Sequence, residues 1–353
     1  MSRIHQLLSG AGPVDAVTSQ ALEYRRLFER WGMAGEVHAA AIEPRLNAGV
    51  LPLKRLEPAP DDLLLIHYSA YAPRLEPLLE LPQRKLLVYH NVTPARYLWS
   101  HHPHVATLCQ LGRDHLPRYA RAVDVACAVS GYNARELREA GAAEVRVVPI
   151  LFEPPEISAR SVIRADAGPS VLGVGRLVPH KRQDLVVRAF ALWQREHAAD
   201  ASLALVGEPL SVAYRDRLDD LARRAGGMRV QLTGPVSDEE LGRRYAGASV
   251  FLTLSEHEGF CVPLLEAFAA GVPVVARPVG GMPEVGGDAV LWAQDDDVAV
   301  VAELLELAVR DEDLRGELIR RGRARLEEFA YERTAEKLRA AVDAALSRPA
   351  LRT

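Results

Sequence analysis

The chain has 353 residues, which is long enough for two domains that each bury a sizeable core. Hydrophobic residues make up 48% of the chain and charged residues 25%, as in ordinary globular proteins, and no apolar run approaches the roughly 20 residues of a membrane span. The net charge of −4 gives no general attraction to nucleic acid, and three scattered cysteines suggest neither a disulfide framework nor a zinc site.

The amino-terminal sequence predicts a cytoplasmic protein. Met1-Ser-Arg-Ile-His5 lacks the apolar core of a secretory signal peptide. The odd number of cysteines suits a reducing compartment. We therefore expect a cytoplasmic location, at most with contact to the inner face of a membrane.

In the first half of the chain, short apolar runs alternate with amphipathic segments. The runs predict strands at residues 3–9, 36–41, 63–67, 85–89, 123–129 and 145–150, with a loop at 46–62. Apolar side chains recur at helical spacing from Val14 to Trp31, and a helix is expected to end at Ala140. This alternation predicts a parallel, doubly wound sheet.

A glycine-rich loop, Gly10-Ala-Gly12-Pro13, follows the first predicted strand and precedes a helix. Backbone amides at such a position are suited to an anion. No Gly-Lys-Ser/Thr follows, so the loop is not a P-loop. An anion site and a plain connecting turn therefore both remain open.

Polar side chains follow three of these strands where each strand ends. The carboxyl ends of parallel strands share one edge of a sheet, and ligands of α/β proteins bind there. The side chain with the strongest case is His90, and weaker candidates for contacts to a second substrate are His67, Asn91, Ser130 and Asn133. A satisfied core histidine is the alternative for His90.

One segment has an aromatic and basic composition that would suit an anionic lipid surface. It comprises Tyr97, Leu98, Trp99, His101, His102, Arg113, Arg118 and Arg121. We favour the alternative, in which the aromatic and leucine side chains of an amphipathic helix pack on the core. Peripheral contact with a membrane stays open.

Residues 152–169 contain Pro154, Pro155 and Pro169 and little periodicity, which predicts an inter-domain linker. Strands are then expected at 170–174, 202–206, 229–232, 250–254 and 272–276. Helices are expected at 183–196, from the capping box at Ser237, and at 263–270, 298–310, 311–329 and 333–346. The predicted domains are residues 1–153, joined by a helix at about 331–353, and residues 154–330.

Cations and a glycine follow the first strand of the second domain. Arg176 and Lys181 lie after Gly175, between a strand and a helix. Two cations beside a helix N-terminus would stabilise a leaving diphosphate without a metal. The alternative is a pair of solvated surface cations. The position at the carboxyl end of a strand favours a functional role.

The longest informative stretch runs from Ser255 to Glu284 and reads S-E-H-E-G-F-C-V-P-L-L-E-A-F-A-A-G-V-P-V-V-A-R-P-V-G-G-M-P-E. After Gly259, the loop brings the backbone N–H groups of Phe260, Cys261 and Val262 to the start of a helix, where a diphosphate would bind. Glu266 lies one turn into that helix and Glu258 on the loop before it, where carboxylates would accept hydrogen bonds from polyols. Ordinary helix-terminal charges are the alternative.

This stretch resembles the nucleotide-sugar site of retaining glycosyltransferases of family 4, which are glycosyltransferases of group 1. The signature of the family is two glutamates separated by seven residues, matched here by Glu258 and Glu266. Cys261 stands where the family usually has glycine. The resemblance covers residues 171–284 closely and the first domain more loosely.

The resemblance implies the GT-B fold, in which two Rossmann-like domains face a cleft and the carboxyl-terminal helix crosses back to the first domain. It implies that Arg176 and Lys181 grip the diphosphate, that His90 and Glu258 hold the sugar, and that Glu266 holds the ribose. Gly12, Gly175, Gly234 and residues 259–262 are further expected contacts with the donor. No metal or other cofactor is expected.

The implied reaction moves a hexose from a UDP- or GDP-linked donor, with retention, to a glycan, lipid-linked or small-molecule acceptor. Cell-envelope polysaccharide or glycoconjugate synthesis is the expected context. The alternatives are a sugar-nucleotide epimerase or phosphorylase, and a non-catalytic sugar-nucleotide-binding subunit. The oligomeric state is left open.

Two other sites are disfavoured by the sequence. Gly173 and Gly175 match the first two glycines of a dinucleotide fingerprint, but Val178 stands where the third belongs. The three consecutive acidic residues Asp295-Asp-Asp297 could suggest a metal site, but a solvated acidic loop or a helix N-cap is expected there.

Overall fold

The computed structural model describes residues 2–13, 15–46, 49–154, 168–224 and 229–348. The chain divides into two compact units. The first comprises Met1–Arg96, His104–Leu151 and Ala330–Thr353, and the second comprises Tyr97–Pro103 and Phe152–Phe329. Residues 97–103 thus group with the second unit, whereas the predicted first domain included them. Most of the predicted linker, residues 155–167, lies outside the described residues.

The first unit is built on one parallel sheet of seven strands. They are β1 (Ile4–Leu8), β2 (Ala34–Ala39), β3 (Val50–Pro52), β4 (Leu63–Tyr68), β5 (Arg84–Tyr89), β6 (Val125–Ala128) and β7 (Val145–Val147). Their order is β3-β2-β1-β4-β5-β6-β7. The predicted loop at 46–62 was wrong at β3, a three-residue edge strand that ends in proline and is too short to show a period.

Four helices accompany this sheet: α1 (Ala16–Arg30), α2 (Pro103–Ala122), α3 (Gly131–Glu139) and α11 (Tyr331–Leu346). Helix α11 buries Leu338 and Val342 in one core with Leu63 and Leu86 of the sheet. The prediction that the carboxyl-terminal helix returns to the first domain is confirmed. The segment with aromatic and basic side chains is helical only from Pro103, where α2 begins. Leu98 is buried as expected, whereas Trp99, expected to pack on the core, is 47% exposed.

The second unit is built on a six-stranded parallel sheet. Its strands are β8 (Ser170–Val174), β9 (Ser202–Val206), β10 (Arg229–Gly234), β11 (Val250–Thr253), β12 (Val274–Ala276) and β13 (Val290–Trp292). The helices are α4 (Gln183–Glu196), α5 (Val212–Arg224), α6 (Asp238–Ala246), α7 (Val262–Ala269), α8 (Met282–Gly286), α9 (Val298–Arg310) and α10 (Glu312–Glu328). Elements α5, α8 and β13 were not predicted from the sequence.

The strand order of the second unit fixes where a ligand would bind. The order is β10-β9-β8-β11-β12-β13, so the chain reverses direction across the sheet between β8 and β11. Ligands of doubly wound folds bind where the connections from two such strands diverge. The loops that follow β8 and β11 carry Arg176, Lys181 and Glu258. The predicted α/β class with two doubly wound domains is confirmed.

Candidate functional site

Two loops of the second unit are joined at the switch point by three contacts. The first loop follows β8 and the second follows β11. The backbone N–H of Glu256 donates to the carbonyl of His180 at 2.7 Å, and the Glu256 carboxylate pairs with Arg182. Lys181 Nζ lies 2.6 Å from Glu258 Oε1. The two loops are therefore held in one arrangement by backbone and charge together.

The Lys181–Glu258 pair is largely buried. Burial alone would raise the pKa of Glu258, but the charge of Lys181 and hydrogen bonds from Lys181 and Ser255 outweigh it, so this pKa lies below its usual value. Burial lowers the pKa of Lys181, and Glu258 more than restores it. Both side chains are charged at neutral pH. The pair places a fixed ammonium beside a fixed carboxylate at the edge where a ligand is expected.

Two glycines allow the backbone to approach these charged groups. A Cβ on Gly280 would lie 2.0 Å from the carbonyl oxygen of Glu258, and its φ is +58°. Gly175 has a φ of +140°, and a Cβ there would lie 3.2 Å from Lys181 Nζ. The N–H of Gly281 donates to the Glu258 carbonyl at 3.0 Å. Gly280 and Gly281, which follow β12, therefore pack against the backbone of Glu258 and hold its loop in place.

The start of α7 presents unpaired donors. Cys261 is the N-cap residue, with φ +80° and ψ 72°, and its side chain makes no capping hydrogen bond. Within the described ranges, the N–H groups of Phe260, Cys261 and Val262 donate to no protein acceptor. Phe260 is anchored by an edge contact with Phe329, 5.6 Å between ring centres. This helix start can bind an anion.

Arg176 is exposed, and its guanidinium makes no ion pair or hydrogen bond with any residue that the structure describes. Its backbone is fixed, because Gln183 Nε2 donates to the Arg176 carbonyl at 2.9 Å. Tyr214 in turn donates its hydroxyl to Gln183 Oε1 at 3.2 Å. Arg176 therefore offers a guanidinium without a partner among the described residues, on a backbone segment that hydrogen bonds hold in place.

Glu266 faces the interior of the unit with one oxygen. The Tyr245 hydroxyl donates to Glu266 Oε2 at 2.6 Å, while Oε1 accepts no hydrogen bond from the described residues. Burial raises the pKa of Glu266 despite the opposing hydrogen bond from Tyr245. Tyr245 therefore orients the carboxylate and leaves one oxygen for a ligand.

The remaining predicted donor contacts of this unit lie along the same edge. Gly234 ends β10, and its carbonyl accepts from the N–H of Gly207 at 3.1 Å. Gly259 lies on the loop between Glu258 and the start of α7. The structure thus brings together, within the second unit, Gly175, Arg176, Lys181, Gly234, Glu258, Gly259, Phe260, Cys261, Val262 and Glu266.

The other predicted residues belong to the first unit. His90 follows β5, and its Nε2 lies 2.9 Å from Nδ1 of the buried His67. Nε2 of His67 lies 2.8 Å from Oε1 of Gln6. Both ring nitrogens of His67 therefore have protein partners, which leaves none for the acceptor contact that the sequence suggested. Burial lowers the pKa of His90 to about 4, so its ring is neutral at physiological pH.

The other three candidate acceptor contacts are buried within the first unit. Asn91 donates to Asn133 Oδ1 at 2.8 Å and to Glu136 Oε2 at 3.1 Å. Ser130 caps α3 by accepting the N–H of Asn133. Arg113 pairs with the other oxygen of Glu136 at 2.8 Å. This arrangement favours a structural role over acceptor binding for Asn91, Ser130 and Asn133.

The glycine loop of the first unit is arranged as a connecting turn. The N–H of Gly12 donates to Thr18 Oγ1 at 3.2 Å. Asp15 caps α1, so a carboxylate already occupies the N-terminus of that helix. A second anion would be repelled there. The geometry therefore argues against the predicted phosphate contact by Gly12.

The acidic turn before α9 is a capping structure, as the sequence predicted. Asp297 accepts the N–H of Ala299 at 2.8 Å. Asp296 pairs with Arg277 at 2.7 Å and with Arg182 at 3.0 Å.

The described residues contain no group of three or more histidine, cysteine or acidic side chains that could hold a metal ion. None of the described helices is long and apolar enough to span a membrane.

Several residues that position the candidate residues of either unit carried no local signal in the sequence. Glu256 and Arg182 join the two loops, although each looks like a surface charge in the sequence. Gln183, Tyr245 and Gln6 position other residues across 7, 21 and 61 positions of the chain. Their partners are set by the fold, so only a motif that already implied the fold pointed to this region.

Comparison with known proteins gives a family match in the second unit. Residues 157–325 match the model of the family described as glycosyl transferases group 1. The O-antigen chain mannosyltransferase B of Escherichia coli is 34% identical over 168 residues, which cover 46% of this chain and 42% of that protein. A GDP-mannose-dependent alpha-(1-6)-phosphatidylinositol monomannoside mannosyltransferase of Mycobacterium tuberculosis is 32% identical over 210 residues, 54% of each chain. The chain therefore spans about half the length of these relatives.

Solved structures resemble the whole chain. Sucrose-phosphate synthase from Thermosynechococcus elongatus superposes with a TM-score of 0.72 and 21% identity, covering 97% of this chain and 98% of that one. Anabaena HepE in complex with UDP and glucose gives 0.70 and 17%, covering 97% and 99%. At these identities the likeness establishes the GT-B class of fold. Residues 157–325 of the second unit are thus similar to the group 1 glycosyl transferases.

Proposed function

We propose that the protein is a retaining glycosyltransferase that moves a hexose from a UDP- or GDP-linked sugar to a hydroxyl of a second substrate. The observation that carries the proposal is the cluster at the switch point of the second unit. Among the described residues, Arg176 and three N–H groups at the start of α7 have no protein partner, and Lys181 is held by Glu258. These groups suit a diphosphate.

The charges account for leaving-group stabilisation. As the bond between the anomeric carbon and the phosphate oxygen breaks, the nucleoside diphosphate leaves with the electron pair and gains negative charge. Arg176, Lys181 and the α7 amides are fixed before the reaction, so they stabilise this charge without reorganisation. Positive charge of this kind does the work that a divalent metal does in other phosphate sites, and metal-independent turnover is part of the proposal.

The remaining groups would hold the sugar and the nucleoside. Glu258 has a carboxylate oxygen left beside the pair with Lys181, which suits a sugar hydroxyl. The unpaired oxygen of Glu266 suits the ribose diol. The acceptor oxygen forms the new bond on the face that the diphosphate leaves, and its proton passes to the departing phosphate oxygen. The protein's contribution is positional and electrostatic.

The two named relatives that are mannosyltransferases support a mannose or related hexose as the transferred sugar. A glycan, a lipid-linked sugar or a small molecule is the proposed class of acceptor, in envelope polysaccharide or glycoconjugate synthesis. A cytoplasmic location, with contact to a membrane surface for a lipid-linked acceptor, completes the proposal.

The test is a panel of UDP- and GDP-linked hexoses, with and without acceptors, in which release of nucleoside diphosphate and the glycoside product are both measured. We expect one donor to be consumed with equal rate in chelator and in magnesium, and the product to keep the anomeric configuration of the donor. Consumption without a glycoside product would instead support an epimerase or a hydrolase, and binding without consumption a non-catalytic subunit.

A further inference from the structure

The first unit contains a hydrogen-bonded chain that ends at His90. Gln6 on β1, His67 on β4 and His90 after β5 lie side by side because β1, β4 and β5 are neighbours in the sheet. Gln6 and His67 are each about 1% exposed, whereas His90 is half-buried. The ring planes of His67 and His90 lie within 20° of each other, with 5.2 Å between the ring centres.

The direction of the chain is set at its buried end. Gln6 Nε2 lies 2.8 Å from the carbonyl oxygen of Ala21. A backbone carbonyl only accepts hydrogen bonds, so the amide nitrogen of Gln6 must face it and Oε1 must face His67. An amide oxygen also only accepts. His67 Nε2, 2.8 Å away, must therefore carry a proton.

The proton on Nε2 determines the rest of the chain. Burial holds the His67 ring neutral, so with a proton on Nε2 its Nδ1 is a bare acceptor. His90 Nε2 lies 2.9 Å from that atom and must donate to it. The neutral His90 ring then has its lone pair on Nδ1. That atom has no hydrogen-bond partner among the described residues and is not one of their buried unpaired polar atoms.

We propose that Gln6 and His67 are positioning residues that hold His90 in the Nε2-protonated tautomer, so that its Nδ1 accepts a hydrogen bond from a hydroxyl of the bound sugar. The identity of the ligand as a sugar rests on the proposed function, whereas the tautomer does not. A neutral acceptor of this kind selects a hydroxyl and rejects a carbonyl or a phosphate oxygen, because neither of these can donate.

The tautomer can be read directly by long-range proton–nitrogen NMR on protein labelled with ¹⁵N-histidine, with His67 and His90 assigned by single substitutions. In the wild type we expect both rings to carry the proton on Nε2 only. A wild-type His90 that carries its proton on Nδ1 overturns the proposal.

Gln6→Met removes the fixed acceptor and lets the His67–His90 hydrogen bond run in either direction. We expect the two rings to populate the second tautomer together, and Gln6→Leu to do the same. Gln83→Met is the matched control, because Gln83 is a buried glutamine of the same unit that donates to the carbonyls of Pro58 and Ala59 and does not touch the histidines. Unchanged tautomers in both Gln6 variants would show that Gln6 does not set them.

The ligand class is tested by titrating the labelled protein with UDP-glucose and GDP-mannose, and with UDP and GDP as matched controls. The Nδ1 resonance of His90 should move with a sugar donor and stay in place with the nucleoside diphosphate. A bound sugar donor that leaves Nδ1 unperturbed overturns the hydroxyl contact. Because the tautomer measurement needs no ligand and no turnover, absence of transferase activity would count against the proposed function alone.

If a donor is consumed, Gln6→Met should lower kcat/KM by about tenfold, the loss expected for one neutral hydrogen bond. The Gln83→Met control should retain the wild-type value. A Gln6→Met enzyme that loses no kcat/KM while its tautomers mix would show that the lone pair on His90 is not used, and would overturn the sugar contact.

Discussion

Arg176 has a guanidinium with no protein partner in the described part of the chain, on a backbone segment braced by Gln183. An unpaired cation does not stabilise the fold, so we expect Arg176 to bind a ligand. Negative charge on a departing diphosphate grows in the transition state. A fixed cation therefore acts on the rate more than on binding of the donor.

We expect Arg176→Ala to lower turnover at saturating donor by about 10²- to 10³-fold, as for loss of one preorganised donor in an oxyanion site, with a smaller change in donor affinity. Arg176→Lys should recover little, because an ammonium lacks the planar fork of a guanidinium. Arg188→Ala, at an exposed arginine of α4, is the matched control. Turnover of Arg176→Ala within a few-fold of wild type would make Arg176 a surface cation only.

Cys261 has a left-handed backbone conformation at the start of α7, with φ +80°. A residue with a Cβ is strained there, and glycine is not. Cys261→Gly and Cys261→Ala both remove the sulfur, but only alanine keeps the Cβ. We expect the glycine variant to be more stable than the alanine variant by about 1 kcal/mol in urea denaturation. Greater stability of the alanine variant would contradict the strain.

Glu266 should affect stability in a pH-dependent way. Burial raises its pKa above the usual value of 4.5. The stability it contributes is therefore full below pH 4.5 and is lost as the pH rises through the folded-state value. Glu266→Gln removes the charge and can still accept from Tyr245. Relative to wild type, it should gain stability between pH 4 and pH 7 in urea denaturation; parallel pH profiles would contradict this.

The same substitution should weaken donor binding, because in its proposed role Glu266 accepts hydrogen bonds from ribose hydroxyls as a carboxylate, and the substitution replaces that carboxylate with an amide. The expected cost is roughly 1.5–3 kcal/mol, measured as the donor dissociation constant by calorimetry. Tyr245→Phe leaves the carboxylate in place and serves as the comparison. Donor affinity unchanged in Glu266→Gln would remove the ribose assignment.

Individual site residues could be predicted from the sequence only where they belong to a recognisable motif. Glu258, Glu266 and the start of α7 stood out because their spacing matches a family. Gln6, Glu256 and Tyr245 did not, because their partners lie on other strands or helices. The contact of Gln6 with His67 could not be predicted for the same reason, since the position of Gln6 beside His67 follows from the sheet order.

The loops that follow β8 and β11 are joined by the buried ion pair between Lys181 and Glu258. Removing one partner of a buried ion pair destabilises the folded protein, because the remaining charge stays buried without a compensating charge. The pKa of Glu258 lies below 4.5, so the contribution of the pair is present above that pH and is lost as the pH falls through the folded-state value.

We expect Lys181→Met to lower the free energy of unfolding by about 3–5 kcal/mol at pH 7. The double variant Lys181→Met with Glu258→Gln should recover part of that loss, because no buried charge remains. Chemical denaturation of the two single variants and the double variant gives the coupling energy. Additive losses would show that the two side chains do not interact in the folded protein.

The predicted elements were most accurate where a long amphipathic period or a complete apolar run was present. Helices α4 and α9 begin and end at the predicted residues. The three-residue β3 and β13 are too short to show a period, and α5 is rich in charged side chains, so its two buried residues, Tyr214 and Leu218, gave little signal. These elements form because neighbouring strands and helices cover them.

Each of the two units has its own core. Leu338 of α11 is buried in the first unit, and Leu305 of α9 is buried in the second. Leu338→Ala and Leu305→Ala remove the same atoms, and each should cost about 2–5 kcal/mol. Hydrogen exchange followed by mass spectrometry should show faster exchange in β4 and β5 for Leu338→Ala, and in β11 and β12 for Leu305→Ala. The same peptides responding to both variants would contradict independent cores.

The return of α11 to the first unit has a consequence for synthesis on the ribosome. Strands β1 to β7 leave the ribosome early, but the helix that covers Leu63, Leu86 and Val88 is translated only after the whole of Phe152–Phe329. At about 5–20 residues per second, the apolar face of that sheet waits many seconds for its cover. The second unit, nearly continuous in sequence, can complete its core in that interval. The first half of the newly made chain is therefore the part that most needs a chaperone.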